Sequence, residues 1–196
     1  MSTKMTNRLD RRLALRIRAE RESRGWSLEE LAGRSAVSRA MISRVERGES
    51  SPTAALLGRL SGAFGLSLSR LLARAESVEG GRLARAADQS LWRDPATGFL
   101  RRALTPTGES GIPPLELVES ALPPGAEIAY PAAAYAFIQD QQILVLEGVL
   151  RFRQGEEVHD LAAGDCFRLG PPADCIFANP GKALCRYLVA VLHRTA

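Results

Sequence analysis

With 196 residues, 45% of them hydrophobic and 24% charged, the chain has room for one large domain or two small ones and the make-up of an ordinary soluble globular protein. No apolar run approaches the roughly 20 residues of a bilayer-spanning helix, and Met1 to Arg12 is polar and basic, so neither a membrane span nor a secretory leader is expected. The formal net charge of +4 is uneven: residues 1–75 carry 15 Lys/Arg against 7 Asp/Glu, a net of +8, and residues 76–196 carry 11 against 15, a net of −4, so only the first part suits a polyanion.

Leu13, Ile17 and the aliphatic stem of Arg21 recur at helical spacing, which predicts a first helix over Leu9–Ser23 that Gly25 ends. Ser27 and Glu30 stand at capping-box spacing and open a short helix over Leu28–Arg34, with Leu31 and Ala32 turned inward. After the tight Ser35-Ala36-Val37 turn, Ser38 is the N-cap candidate of a third helix, Arg39–Arg47, closed by Gly48. Pro52 and Thr53 begin a fourth helix that offers Leu56, Leu57, Leu60 and Phe64 to a core. Ser67 or Ser69 caps a fifth, ending near Ala73. Residues 75–81, small and glycine-paired, read as a linker. Beyond them the runs Leu115–Leu122, Ile143–Leu146, Val149–Phe152, Cys166–Leu169 and Ala183–Leu192 have strand length and are separated by Pro/Gly/Asp turns. That texture belongs to an antiparallel sandwich or barrel. The expected architecture is thus an all-α five-helix domain at 9–74 and an all-β domain at 82–196.

The second and third helices have helix-turn-helix proportions, in which one helix crosses the phosphates and the next enters the major groove by its N-terminal end. Arg39, Ala40, Ser43 and Arg44 share the outward face of the third helix, while Met41, Ile42 and Val45 supply inward volume. An arginine fork matches the two acceptors of a guanine edge, and an alanine methyl can touch that of thymine. The segment GWSLEELAGRSAVSRAMISRVERGESSPTAALLGRLSGAFG resembles the phage-repressor-like, or XRE, helix-turn-helix family over most of residues 11–73. Ser-x-x-Glu-Leu-Ala, Val-Ser-x-x-x-Ile-Ser-x-x-Glu-x-Gly and the trailing proline all stand in register. The resemblance implies a lambda-repressor-like DNA-binding domain. In it Arg39, Ala40, Ser43 and Arg44 face bases, Arg47 faces a phosphate, Ser38 lies at the reading end, and Arg21 pairs with Glu46 across the helices. Leu28 departs from the family, which commonly has Gln there on a phosphate, so a helix N-terminal amide would have to supply that contact.

The second part resembles a cupin, or jelly-roll, barrel over about residues 82–192. Gln141 through Gly148 looks like the end of the first cupin motif, and Gly164-Asp165 through Asn179 like the second. The residues that hold a metal in such barrels are replaced: Gln141 stands at the Glu position and Cys175 at the second-motif His position. The His-x-His positions fall on Tyr135 and Phe137, or on Pro131 and Ala133 in the other register. No metal, cofactor or catalytic residue is therefore expected. His159 and His193, the chain's two histidines, read as surface residues, and Cys175 as a buried small hydrophobe. If strand alternation follows the family, Tyr135, Phe137, Gln141, Cys175, Phe177 and Asn179 line a small-molecule pocket. An odd number of cysteines, Cys166, Cys175 and Cys185, fits reduced thiols in a cytoplasm.

These features point to a transcriptional regulator of the cytoplasm and nucleoid that binds double-stranded operator DNA as a homodimer, senses an effector in the barrel and makes no membrane contact. Two alternatives stay open at this stage: an iron-dependent oxidative cupin enzyme with a vestigial helix-turn-helix, and a cupin that serves only as a dimerisation scaffold.

Overall fold

The computed structural model describes residues 2–75, 81–106 and 113–194. Five helices come first: α1 (Ser2–Glu22), α2 (Leu28–Ser35), α3 (Arg39–Glu46), α4 (Ala54–Phe64) and α5 (Leu68–Ala75). α1 begins seven residues before the predicted Leu9, and its Leu9, Leu13 and Ile17 fall on one buried stripe at four-residue spacing. Side chains close the helix starts. Ser27 and Glu30 form the reciprocal capping box of α2, Ser38 Oγ accepts from the Met41 amide, Thr53 Oγ1 from Leu56, and Ser67, rather than Ser69, accepts from Arg70. The turn between α2 and α3 passes through Ala36 at φ 52°, a left-handed conformation that glycine adopts more readily. Ser35 braces it, donating to the Leu31 carbonyl at 2.7 Å and accepting from the Val37 amide at 3.3 Å.

Ten strands follow. One sheet has six of them, ordered β1 (Leu91–Arg93), β2 (Leu100–Ala103), β3 (Leu115–Leu122), β10 (Cys185–His193), β5 (Ile138–Glu147) and β8 (Cys166–Arg168). The other is ordered β4 (Glu127–Tyr130), β9 (Cys175–Ala178), β6 (Val149–Gln154) and β7 (Glu157–Ala162). All pairings are antiparallel, and the sheets face each other as a jelly roll. β10 alternates without a break, burying Cys185, Tyr187, Val189, Val191 and His193 on the inner side. A short 3-10 turn, Ala132–Ala134, joins β4 to β5.

The helical domain is docked on the barrel. α4 turns Gly58 and Gly62 toward it, as does its C-cap Gly65, and each is a point of close approach. A Cβ on Gly58 would lie 2.6 Å from Tyr130 Cδ1, one on Gly62 3.1 Å from Ala133, and one on Gly65 3.3 Å from Phe137 Cζ. The Ala54 amide donates to Asp94 Oδ1 at 3.3 Å, and Arg101 Nη2 to Ser69 Oγ at 3.3 Å. Apolar burial runs without interruption from Leu13 and Leu57 to Phe152 and Phe177. A linker was expected over 75–81. Residues 76–80 lie outside the described residues, but covalent connection is not all that joins the two units.

Candidate DNA-reading face and barrel cavity

α3 buries Ile42 and Val45 and leaves Ser38, Arg39, Ala40 and Arg44 exposed, with Ser43 half-buried. The Arg39 side chain is 67% exposed, with its Nε 4.0 Å from Glu29. Arg47 is the C-cap of α3 and is already engaged, donating to Ser43 Oγ and, through Nε and Nη2, to the Glu49 carboxylate at 2.6 and 2.7 Å. A phosphate at Arg47 would therefore have to compete with Glu49. Behind this face Arg21 Nε and Nη2 donate to the two oxygens of Glu46 at 2.7 and 2.8 Å, while Arg21 Nη1 holds the Trp26 carbonyl at 2.9 Å. This bidentate pair raises the Arg21 pKa further and fixes α3 against α1. At the start of α2, Leu28 packs against the core. The Ser27 and Glu30 amides are taken by the capping box, and Glu29 and Glu30 place negative charge in the first turn, so this helix end is a poor phosphate anchor.

Within the barrel a cavity of about 80 Å³ is lined by Ser67, Leu68 and Ser69 from the helical domain and by barrel residues that include Phe99, Arg101, Tyr130, Tyr135, Gln141, Phe177 and Tyr187. Of the six residues anticipated as pocket lining, Tyr135, Gln141 and Phe177 stand in its wall. The other three do not. Phe137 is 46% exposed and covers Gly65 instead. Its parity is broken by a bulge: the pairing of β5 with β10 runs Asp140 to Leu192 and then Ile138 to His193, so Gln139 is the extra residue and Ile138 faces the cavity. Asn179 is buried as a turn brace, with Nδ2 donating to the Leu122 and Ala183 carbonyls at 2.8 Å each and Oδ1 accepting from the Gly181 amide at 2.9 Å. Cys175 is buried beside Tyr135, its Sγ within 3.4 Å of the Ala173 carbonyl, and burial pushes its thiol up to about 11. Burial likewise holds the Tyr135 and Tyr187 phenols far above their ordinary range, so both stay neutral.

His193 also corrects the sequence reading. It is 2% exposed, not a surface group, because it ends the inward-facing row of β10, where Nε2 lies 3.2 Å from Glu116 Oε1. His159 is partly exposed, its ring 4.6 Å from that of Phe167. The metal that cupin barrels commonly hold does not fit here. The positions that would ligate it present an amide, a phenol and a thiol kept protonated by burial, and among the described residues no three His, Cys, Asp or Glu side chains converge.

Sequence reasoning missed Arg101, Tyr130 and Tyr187. Tyr187 was within reach, since Cys185, Tyr187, Val189 and Val191 alternate along a run already read as a strand. Arg101 sits on a four-residue strand with two adjacent arginines, where no alternation of polarity could mark the inner side.

Residues 17–71 match the HTH_3 family, described as helix-turn-helix, and the N-terminal domain is of this XRE type. The HTH-type transcriptional regulator SutR of Escherichia coli (strain K12) is 38% identical over 70 residues, 36% of this chain and 39% of that protein. The chain thus aligns with about two fifths of the length of that curated relative. An HTH_3 family transcriptional regulator from Vibrio cholerae has a crystal structure that superposes at a TM-score of 0.76 and 24% identity, covering 97% of this chain and 99% of that one, which shows the two-domain fold. The Cupin_2 domain of an XRE family transcriptional regulator from Enterobacter cloacae superposes at a TM-score of 0.43 and 14% identity, over 50% of this chain and 98% of that domain.

Proposed function

We propose that the chain is a sequence-specific, DNA-binding transcriptional regulator that acts as a homodimer in the cytoplasm, on the nucleoid, and responds to a small molecule held in the barrel. The observation that carries the reading is the exposed Arg39/Arg44 face on a helix of an HTH_3 domain whose first 75 residues carry a net charge of +8. Ser38, Ala40 and Ser43 complete the base-reading set, and Arg47 takes a phosphate by exchanging its contact with Glu49. One such domain covers little DNA, so selectivity calls for two copies on a two-fold site about 34 Å apart. An effector changes operator affinity only if it binds two arrangements of the protein unequally.

The test uses duplexes selected from a random pool by the parent protein. In fluorescence anisotropy the Arg39→Ala/Arg44→Ala variant should lose about 1–3 kcal/mol per arginine on the selected sequence and most of its preference over random DNA. For about six neutralised phosphates the parent's affinity should fall with salt at a log–log slope of about −5. A folded double variant with unchanged affinity and selectivity would overturn the assignment. Among the described residues no feature of the barrel favours the enzyme alternative: its oxidative chemistry needs a His/carboxylate set that the donor groups around Gln141 and Cys175 do not provide.

A further inference from the structure

The barrel has two outer sheet faces, and they differ in kind. On the four-stranded sheet the residues that alternate with buried Leu150 and Phe152 are Arg151 and Arg153, and Arg151 donates to the two oxygens of Asp160 at 2.7 Å each. That is an ordinary solvated face. On the six-stranded sheet the outward positions of the long strands are aliphatic. Leu115 stands opposite Leu192 and Leu117 opposite Ala190 across β3 and β10, and Leu188 stands opposite Leu144 across β10 and β5. The residues that alternate with them, among them Val118, Val189, Val191 and Ile143, are buried inside the barrel. Leu115 and Leu117 are 50% and 36% exposed. The helical domain is seated elsewhere, against Tyr130, Ala133 and Phe137 and along the edge strand β1. Charged groups flank the aliphatic rows. Arg186 donates to Glu119 at 2.6 and 3.1 Å and to Glu147 at 3.4 Å, Arg102 lies 3.9 Å from Glu119, and Arg168 donates to Asp140 at 2.9 Å. Three arginines against three carboxylates leave this flanking set without net charge.

We infer that this aliphatic face is where two copies of the chain meet, sheet against sheet across a two-fold axis. The inference rests on the homodimer reading above and deepens it by giving the dimer its surface. A contiguous leucine-rich area bounded by polar groups has the anatomy of a protein interface, unlike single hydrophobic side chains scattered over a surface. Strands about 4.8 Å apart that rise about 3.4 Å per residue give β3, β10, β5 and their short neighbours β2 and β8 a footprint of about 500 Å². A pair then covers about 1,000 Å², which reaches the size of a specific interface. Size admits any protein partner, and charge narrows the choice. A face of one sign would repel its own copy, whereas this one is balanced within itself and meets an identical face without a like-charge clash. Ala190, between Leu188 and Leu192 along β10, leaves a dip in which a leucine from the facing copy lodges. Arg39 and Arg44 lie in the other domain, so the contact itself covers neither.

The experiment is sedimentation velocity of the full chain between about 1 and about 100 µM. The parent should sediment as a dimer across the range. Leu115→Arg/Leu117→Arg sets like charges on both facing sheets and should weaken the dimer about a hundredfold or more, so that the variant sediments as a monomer at the dilute end. Leu188→Arg should do the same from β10. Circular dichroism and melting like the parent's check that each variant folds. Val158→Arg, at a 55% exposed position of the other sheet, should leave the dimer intact. A parent dimer that survives both leucine variants, or that Val158→Arg disrupts equally, overturns this face and leaves the homodimer reading standing. A parent that is monomeric at the highest concentration, the result expected if the face serves a different protein, overturns both. A monomeric leucine variant that still binds the selected duplex with the parent's affinity and stoichiometry supports the face and strikes instead the need for two copies on the operator.

Discussion

Glu20 allows the closure of the helical domain to be measured. It is 3% exposed on the inner side of α1. Its Oε1 accepts from Arg16 and, at 2.7 Å, from Arg74 of α5, and its Oε2 accepts from Arg24 at 2.6 Å. Arg24 also holds the Phe64 carbonyl at the end of α4, again at 2.6 Å, so one carboxylate ties three helices together. Burial alone would raise its pKa, but the hydrogen bonds from Arg24, Arg16 and Arg74 outweigh burial and bring it from 4.5 to about 2. At about 1.4 kcal/mol per pH unit that interval corresponds to about 3 kcal/mol of stability. The group is held below its unfolded-state pKa. Its contribution is therefore complete above about pH 4.5 and lost as pH falls from there toward about 2. Urea unfolding of the parent and of Glu20→Gln at pH 7, 5, 3.5 and 2.5 should show the variant weaker by about 3 kcal/mol at the first two values. The gap should narrow to about 2 kcal/mol at pH 3.5 and to about 1 kcal/mol at pH 2.5. A gap that stays constant across the series would refute the idea that the charge on Glu20 organises the domain.

Two glycines in helices should respond in opposite directions. Gly33→Ala in α2, where the added methyl meets nothing within 4 Å, should gain about 0.5–1 kcal/mol of stability. Gly58→Ala should lose about 1–2 kcal/mol net, because the methyl strikes Tyr130 and overpacking exceeds the helical gain. Melting temperatures of the pair decide this, and a stabilised Gly58→Ala would mean that the domains are not docked as described. The thiols make a further prediction: Cys166 is exposed while Cys175 and Cys185 are buried, and burial pushes both buried thiols up to about 11. Ellman's reagent at pH 8 should titrate Cys166 alone in the native protein and all three cysteines in guanidinium. Rapid native reaction in a Cys166→Ser variant would refute it.

The parts that proved legible from residues share a short range. Ser27 with Glu30, Ser38, Thr53 and Ser67 close helix starts through groups three residues away, and Leu115–Leu122 reads as a strand from its length and the turns that bound it. Phe137 fails for the complementary reason. Counting by twos back from Gln141 assumes an unbroken strand, and the bulge at Gln139 is set by how β5 and β10 pair across some fifty intervening residues. His193 lies on a legible alternating row, yet a polar residue ending a strand carries no sign of the buried Glu116 that the neighbouring strand supplies.

The sequence by itself determined the helical domain, its caps, the exposed side of α3 and the strand-rich character of the second half, because hydrogen bonds and hydrophobic periods of a few residues dictate them. Only the tertiary structure decided that Gly58 and Gly62 of α4 and its C-cap Gly65 seat the helical domain on the barrel, and that Ser67–Ser69 and Arg101 meet around one cavity. Those contacts join segments 32 and more residues apart. Their geometry depends on the packing of two completed domains, which no local pattern encodes.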